Sequence, residues 1–166
     1  MSSADVPDDP LSTFSLSIFA INGLLLHSGE DVTRPLGQSS ARWQVLGRAG
    51  YQPQTVAQMA QEMGHARQSV QRIADVLAKE GLVAYRDNPA DKRARLVELT
   101  PRGEKVLAAI YARDREYSRQ LMAELDPEQL LAIAGALDGI ARILAAHIER
   151  QPTRQEREAT LQEGEE

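Results

Sequence analysis

The chain has 166 residues, of which 42% are hydrophobic and 26% charged, and these values are typical of a globular protein. It contains no cysteine, which excludes disulfides, thiolate zinc sites and a cysteine redox switch. The net charge of −5 does not favour a nucleic-acid partner, but its distribution does. Residues 42–105 carry eleven basic and seven acidic side chains, whereas the segments on both sides are acidic.

The longest apolar stretch near the N-terminus is Ile18 to Leu26, which Asn22 and Gly23 interrupt. It is shorter than the about 20 residues that span a bilayer. Acidic rather than basic residues precede it, which argues against a secretion signal. We therefore expect a cytoplasmic protein that has no membrane partner.

The first predicted element is a long helix. Residues 1–9 are polar and acidic, and we expect them to be disordered. From Leu11 the apolar residues recur in steps of three and four, which predicts a helix. Pro35 and Gly37 end it near residue 34.

Three shorter helices follow. The first runs from Ala41 to about Arg48, after a cap at Ser39 or Ser40. Thr55 and Gln58 form a capping box that starts the second near Val56, and Gly64 ends it. The third covers about Ala66 to Glu80, with its inner face formed by Val70, Ile73, Ala74 and Leu77.

Two helices joined by a tight turn are typical of a helix-turn-helix, whose second helix enters the DNA major groove. The side chains predicted to contact DNA lie on the outer face of that second helix: Arg67, Gln68, Ser69, Gln71 and Arg72. These residues are also compatible with an ordinary solvated helix face. The local positive charge and the hairpin that follows favour DNA contact.

Two short strands, 82–86 and 93–99, predict a hairpin wing with a polar tip. At this tip, Lys92 and Arg93 are basic, and a narrow minor groove attracts an inserted arginine. We assign that role to Arg93. Asp91 does not favour DNA by charge, so we expect it to hold an arginine through a bidentate pair.

The sequence does not decide between two roles for each of two further wing arginines. Arg86 and Arg95 are expected either to bind phosphate or to pair with Asp87 and Asp91. Strand alternation places Arg95 on the same face as Val97, so its direction is ambiguous.

Two long helices complete the chain. Thr100 and Pro101 open the first, which runs to about Glu124. Its predicted inward residues are Val106, Ile110, Tyr117 and Leu121. The second begins at Asp126–Pro127 and carries a heptad seam that includes Leu130, Leu137, Leu144 and Ile148. Pro152 stops it, and we expect residues 151–166 to be frayed.

Several short motifs occur in order and at consistent spacing. They are Val76-Leu77-Ala78-Lys79-Glu80-Gly81-Leu82-Val83, Arg86, Asp91-Lys92-Arg93-Ala94 and Val97-Glu98-Leu99-Thr100-Pro101-Arg102-Gly103. Together they resemble the MarR family of winged helix-turn-helix regulators, over about residues 11–150.

The resemblance implies a mainly α fold in which a winged helix-turn-helix lobe, residues 39–103, joins a helical dimerisation region, residues 10–36 and 104–150. It implies a homodimer that binds a palindromic operator through its two recognition helices. The peroxide-sensing branch uses a cysteine that is absent here.

Many members of the family respond to small aromatic ligands, which implies a pocket between the dimer helices and the lobe. We assign His27, Trp43 and Tyr111 to that pocket, although each is also compatible with an ordinary structural role. The three histidines are separated in sequence, so no metal or other cofactor is expected. The alternative function is a protein-interaction module without a specific DNA site; no catalytic motif indicates an enzyme.

Overall fold

The computed structural model describes residues 9–150. Its elements, in chain order, are α1 (Pro10–Thr33), α2 (Ser40–Tyr51), β1 (Gln54–Thr55), α3 (Val56–Met63), α4 (Arg67–Lys79), β2 (Val83–Arg86), β3 (Leu96–Leu99), α5 (Pro101–Met122) and α6 (Pro127–Glu149). This order confirms the predicted mainly α class with a hairpin wing. The chain divides after Ser118 into two compact units. The predictions for residues 1–8 and 151–166 lie outside the described residues.

Helix boundaries follow local capping chemistry. The Asp9 carboxylate accepts hydrogen bonds from the backbone N–H groups of Leu11 and Ser12 at 2.8 and 3.0 Å, so Asp9 caps α1 rather than belonging to a disordered tail. The predicted capping box of α3 is present. Thr55 Oγ1 accepts from the Gln58 N–H at 3.2 Å, and Gln58 Oε1 accepts from the Thr55 N–H at 2.9 Å.

A three-stranded antiparallel sheet has the order β1-β3-β2. In the hairpin, Val83 pairs with Leu99 and Arg86 pairs with Leu96, so residues 87–95 form the wing loop. The predicted second strand, 93–99, therefore began three residues too early. Strand β1 pairs with β3 and was not predicted, because two residues are too few to show an alternating pattern.

The core of the first unit lies between α2, α3, α4, the sheet and the start of α5. Leu46, Met59, Leu77, Val97 and Ile110 are fully buried there. The predicted inner face of α4 is confirmed, with Ile73 only half-buried. Burying these side chains supplies most of the driving force for folding this unit.

The predicted inner face of α5 is partly wrong. Ile110 is buried and Val106 half-buried, but Tyr117 and Leu121 are each 38% exposed. Leu107 is buried instead. Only the first turns of α5 supply side chains to the core, so the apolar spacing beyond Ile110 has no covering surface in the first unit.

Helices α1 and α6 leave most of their apolar side chains uncovered. In α1 the buried residues are Gly29, Val32 and Thr33, all near its end, and none of the described residues of α6 is buried. Both helices are long and apolar enough to cross a membrane by length and composition alone. The apolar stretch Ile18 to Leu26, expected to be too short to span a bilayer, is part of this longer helix, which continues through Asn22 and Gly23.

Candidate nucleic-acid interface

The helix-turn-helix is formed by α3, a tight turn and α4. Gly64 ends α3 with φ of 64°, a left-handed conformation that favours glycine because it has no Cβ. The His65 N–H donates to the Ala60 carbonyl at 2.9 Å, which closes the end of α3. The turn therefore sets the direction of α4 through backbone geometry.

Helix α4 is amphipathic, and its two faces have different roles. Val70, Ala74 and Leu77 are buried and anchor the helix to the core. The predicted DNA-contacting residues lie on the other side. Four of them are exposed and Gln71 is half-buried: Arg67, Gln68, Ser69, Gln71 and Arg72. Because the anchored face cannot rotate without breaking the core, the polar face is held outward.

A concave groove of about 310 Å³ separates α4 from the wing. Four of the predicted DNA-contacting side chains line it, two from each element: Arg67 and Gln71 from α4, and Arg93 and Arg95 from the wing. Three guanidinium groups on one concave surface produce a positive local potential in an acidic protein. We call this surface the basic groove.

A hydrogen-bond cluster at the floor of the basic groove connects α4 to the wing. Gln71 Nε2 donates to Asp75 Oδ1 at 2.9 Å and to the Tyr85 hydroxyl at 2.7 Å. The Tyr85 hydroxyl in turn donates to Asp75 Oδ1 at 2.7 Å. Sequence reasoning missed Asp75 and Tyr85. The spacing of four between Gln71 and Asp75 on a helix was an available signal, whereas Tyr85 reaches them only through the fold.

Tyr85 keeps its proton across the physiological range. Burial raises the pKa of Tyr85 to about 12, and its hydrogen bond to the Asp75 carboxylate acts in the same direction. Both effects disfavour a phenolate, the first by desolvation and the second by placing a negative charge beside it. Tyr85 therefore stays protonated and can donate its hydroxyl hydrogen to Asp75.

The wing tip is ordered by side chains that bond to the backbone. Asp91 Oδ1 accepts from the Arg93 N–H at 2.9 Å, and Asn88 Oδ1 accepts from the Ala90 N–H at 3.0 Å. Within residues 9–150, Asp91 forms no ion pair, so the expected bidentate pair with an arginine is absent. Its carboxylate shapes the turn instead. Lys92 and Arg93 are left exposed at the tip.

Among the described residues, neither of the other two wing arginines pairs with Asp87 or Asp91, so phosphate binding stays a prediction for both. Arg86 Nε lies 3.3 Å from Glu98 Oε2 across the hairpin, rather than pairing with Asp87. Arg95 lies outside β3; its Nη2 donates to the Tyr85 carbonyl at 2.6 Å and its guanidinium lies 5.4 Å from the Tyr85 ring centroid. Alternation along a strand did not apply to Arg95 because pairing begins only at Leu96.

A second, larger cavity of about 740 Å³ lies between α1, α2, the helix-turn-helix turn and Tyr111 of α5. Trp43 and Tyr111 both line it, in an edge-to-face arrangement with ring centroids 6.4 Å apart. His27 is not among the lining residues. Its ring is exposed and lies 3.7 Å from the Asp31 carboxylate on the same helix. We call this space the aromatic cavity.

Comparisons with known proteins agree with this architecture. A family model described as MarR family matches residues 36–94. An uncharacterized protein of Mycobacterium tuberculosis is 36% identical over 138 residues, which are 83% of this chain and 94% of that protein.

Solved structures share the fold. A MarR family transcriptional regulator from Rhodococcus sp. RHA1 has a TM-score of 0.71 at 19% identity, covering 81% of this chain and 96% of its own. CouR from Rhodococcus jostii RHA1, solved bound to p-coumaroyl-CoA, has a TM-score of 0.68 at 22% identity, covering 84% and 96%.

The sequence motifs, the fold and the similarity to these proteins all indicate the same family. Its members are DNA-binding transcription regulators rather than enzymes, and a basic groove between α4 and the wing suits that activity. The chain belongs to the MarR family of winged helix-turn-helix regulators.

Proposed function

We propose that the protein is a homodimeric repressor that binds a palindromic operator and releases it when a small aromatic ligand binds. The observation that carries the DNA-binding part is the basic groove. Arg67 and Gln71 of α4 face Arg93 and Arg95 of the wing across one concave surface. A recognition helix in a major groove and a wing arginine in the adjacent minor groove require that arrangement.

The uncovered apolar helices support a homodimer. Phe19 and Leu24 in α1 are 69% and 70% exposed, and Leu131 in α6 is 75% exposed. Large apolar patches on a water-soluble protein are normally covered by a partner. The predicted seam residues Leu130, Leu144 and Ile148 are also exposed in the single chain, and Leu137 is half-buried. A second copy of the chain would cover them.

The aromatic cavity supports ligand control. Its volume is within the range of small-molecule sites, and Trp43 and Tyr111 offer aromatic contacts. Met63 and His65 from the helix-turn-helix turn also line it, so an occupant would touch the segment that sets the direction of α4. CouR, with the same fold, was solved with an aromatic acyl-CoA bound. A ligand can release the operator only if it binds the protein better when α4 is placed unfavourably for DNA than when α4 is placed favourably.

The DNA-binding proposal is tested by selecting bound duplexes from a random pool. We expect an imperfect palindrome whose half-sites are centred about 34–36 Å apart. Affinity should fall steeply between about 50 and 200 mM salt, because basic side chains displace counterions. A protein that enriches no duplex at low salt would be better explained as a protein-interaction module.

The ligand proposal is tested through Trp43, the single tryptophan of the chain. Hydroxybenzoates and hydroxycinnamates are titrated while Trp43 fluorescence and operator affinity are followed together. We expect Tyr111→Ala to weaken both responses and His27→Ala, outside the cavity lining, to leave them unchanged. If no compound alters operator affinity, the regulator binds DNA constitutively.

A further inference from the structure

Helix α2 contains a glycine, Gly47, that neither its backbone nor its packing requires. A glycine inside a helix is destabilising relative to alanine, because it loses more conformational freedom on folding. We propose that Gly47 determines which ligands fit the aromatic cavity, because the space left by its missing side chain receives the ring of an aromatic ligand. The inference rests on the proposed ligand control and adds the residue that sets its size limit.

The backbone conformation does not explain a glycine at position 47. Gly47 lies inside the regular helix Ser40–Tyr51. The described glycines that have a positive φ are Gly37, Gly64 and Gly81, and Gly47 is not among them. Since helical φ values are open to every residue except proline, alanine would adopt the same conformation at this position.

Packing within the chain does not explain Gly47 either. Among the described residues, a Cβ placed on Gly47 would approach only the Tyr111 hydroxyl within 4 Å, at a distance of 3.6 Å. This is an ordinary van der Waals separation, so the methyl group of an alanine fits without moving its neighbours.

Two other helical glycines show the contrast. A Cβ on Gly50, in the last turn of the same helix, would lie 2.7 Å from Leu107 Cδ2, and one on Gly29 of α1 would lie 2.7 Å from Ser40 Oγ. Both distances are too short for a real contact, so these glycines allow neighbouring elements to pack closely. Gly47 instead leaves a space that the described chain does not fill.

This space opens into the aromatic cavity. One face of α2 lines the cavity along the length of the helix, through Ser40, Trp43, Gln44, Gly47, Arg48 and Tyr51. Gly47 lies in the middle of that face, one helical turn after Trp43. The Tyr111 ring lies edge-to-face against Trp43, and its hydroxyl is the group nearest to the missing Cβ. The two aromatic side chains therefore meet beside Gly47.

A methyl group at Gly47 should act on folding and on ligand binding in opposite directions. In the unliganded protein it fills open space and removes the cost of a glycine in a helix. With a ligand ring packed against the α2 backbone, the same methyl group would occupy the place of the ring. Inserting even one carbon into a closely packed contact is unfavourable. A purely structural role for Gly47 would not separate the two effects.

The first measurement is thermal unfolding of the full-length protein without ligand. Gly47→Ala should raise the midpoint by about 2–4 °C, because it improves the helix without a clash. Gly50→Ala is the matched control on the same helix. It should lower the midpoint, because its Cβ would displace the buried Leu107 side chain.

The second measurement is calorimetric titration with 4-hydroxybenzoate and 4-hydroxycinnamate. Gly47→Ala should weaken binding of these compounds by about tenfold, and Gly47→Val, which adds a larger side chain, should weaken it further. Release of the operator recovered from the random pool should require a correspondingly higher ligand concentration in both variants. Sedimentation velocity checks that Gly47→Ala remains a dimer.

Three results would overturn the inference. They are a Gly47→Ala variant that binds both compounds as tightly as the wild type, one with a lowered unfolding midpoint, and one that dissociates, which would place a partner helix in the space. Each can occur while the wild type binds a ligand and releases the operator, which leaves the proposed function intact. A wild type that binds no hydroxybenzoate or hydroxycinnamate would instead remove ligand control, and the inference with it.

Discussion

The winged-helix lobe and helix α6 carry similar apolar patterns but end in opposite environments. In the lobe, Leu46, Met59 and Leu77 are fully buried against neighbouring elements. In α6, apolar residues recur every three or four positions over 23 residues, yet none of them is buried in the described chain. Periodicity thus predicts a helix and its apolar face in both regions, but it does not tell whether the same chain covers that face.

The largest expected effect tests whether a second copy covers α6. The double substitution Leu137→Asp, Leu144→Asp should dissociate the dimer and abolish operator binding. An unpaired charge buried in an interface costs about 3–5 kcal/mol. Sedimentation velocity and operator titration measure the two outcomes. Gln129→Asp, which adds a carboxylate to the first turn of the same helix, should remain dimeric. A dimeric, DNA-binding double variant would contradict the seam.

The second test concerns the winged-helix lobe, whose apolar side chains are buried within the same chain. Leu46→Ala should lower the free energy of unfolding by about 2–5 kcal/mol, because it leaves a cavity in a packed core. Chemical denaturation at several protein concentrations checks it. The loss from Leu46→Ala should not depend on concentration, whereas that from Leu144→Ala should, because dimer association contributes to it. Equal behaviour of the two variants would remove the distinction between the regions.

The third test concerns what the lobe presents outward. Arg93→Ala should weaken operator binding by about 1–3 kcal/mol, roughly five- to 150-fold, through loss of a wing contact. Folding should be unaffected, because Arg93 is exposed. Lys105→Ala removes the same charge from α5, outside the basic groove, and should have a much smaller effect. Equal losses in both variants would indicate general electrostatic attraction without a role for the wing.

The smallest expected effect lies at the edge of the lobe. The hydrogen bond from Arg42 holds the pKa of the Glu80 carboxyl below its ordinary value of 4.5. Because the pKa of Glu80 is lower in the folded state, its ion pair with Arg42 stabilises the fold above about pH 4.5. This contribution is lost as the pH falls below that value. Because Glu80 is partly exposed, Glu80→Gln should cost at most about 1 kcal/mol at pH 7.

Thermal unfolding of both proteins between pH 3 and pH 7 measures this difference. The gap between the two curves should narrow as the pH falls below about 4.5, because the contribution of the charged Glu80 carboxylate is lost in that direction. A gap that stays constant from pH 7 down to pH 3 would show that Glu80 acts through something other than its charge.

Local signals predicted much of the fold. The capping box at Thr55, the positive φ at Gly64 and the buried face of α4 depend on residues close in sequence, and the structure contains all three. Predictions that required a tertiary partner were less accurate. The sequence suggested that Asp91 would hold an arginine, but the tight turn places its carboxylate on the Arg93 N–H. Strand β1 was missed because it exists only through pairing with β3.

The sequence alone determined approximately where the helices begin, which faces are apolar and where positive charge accumulates, since these depend on interactions within a few residues. Only the tertiary structure decided that the side chains of Gln71, Asp75 and Tyr85 form hydrogen bonds to one another, because 10 positions separate Asp75 from Tyr85 and only the hairpin brings them together. Hydrogen bonds act over about 3 Å, so the order of residues does not specify them until the chain has folded.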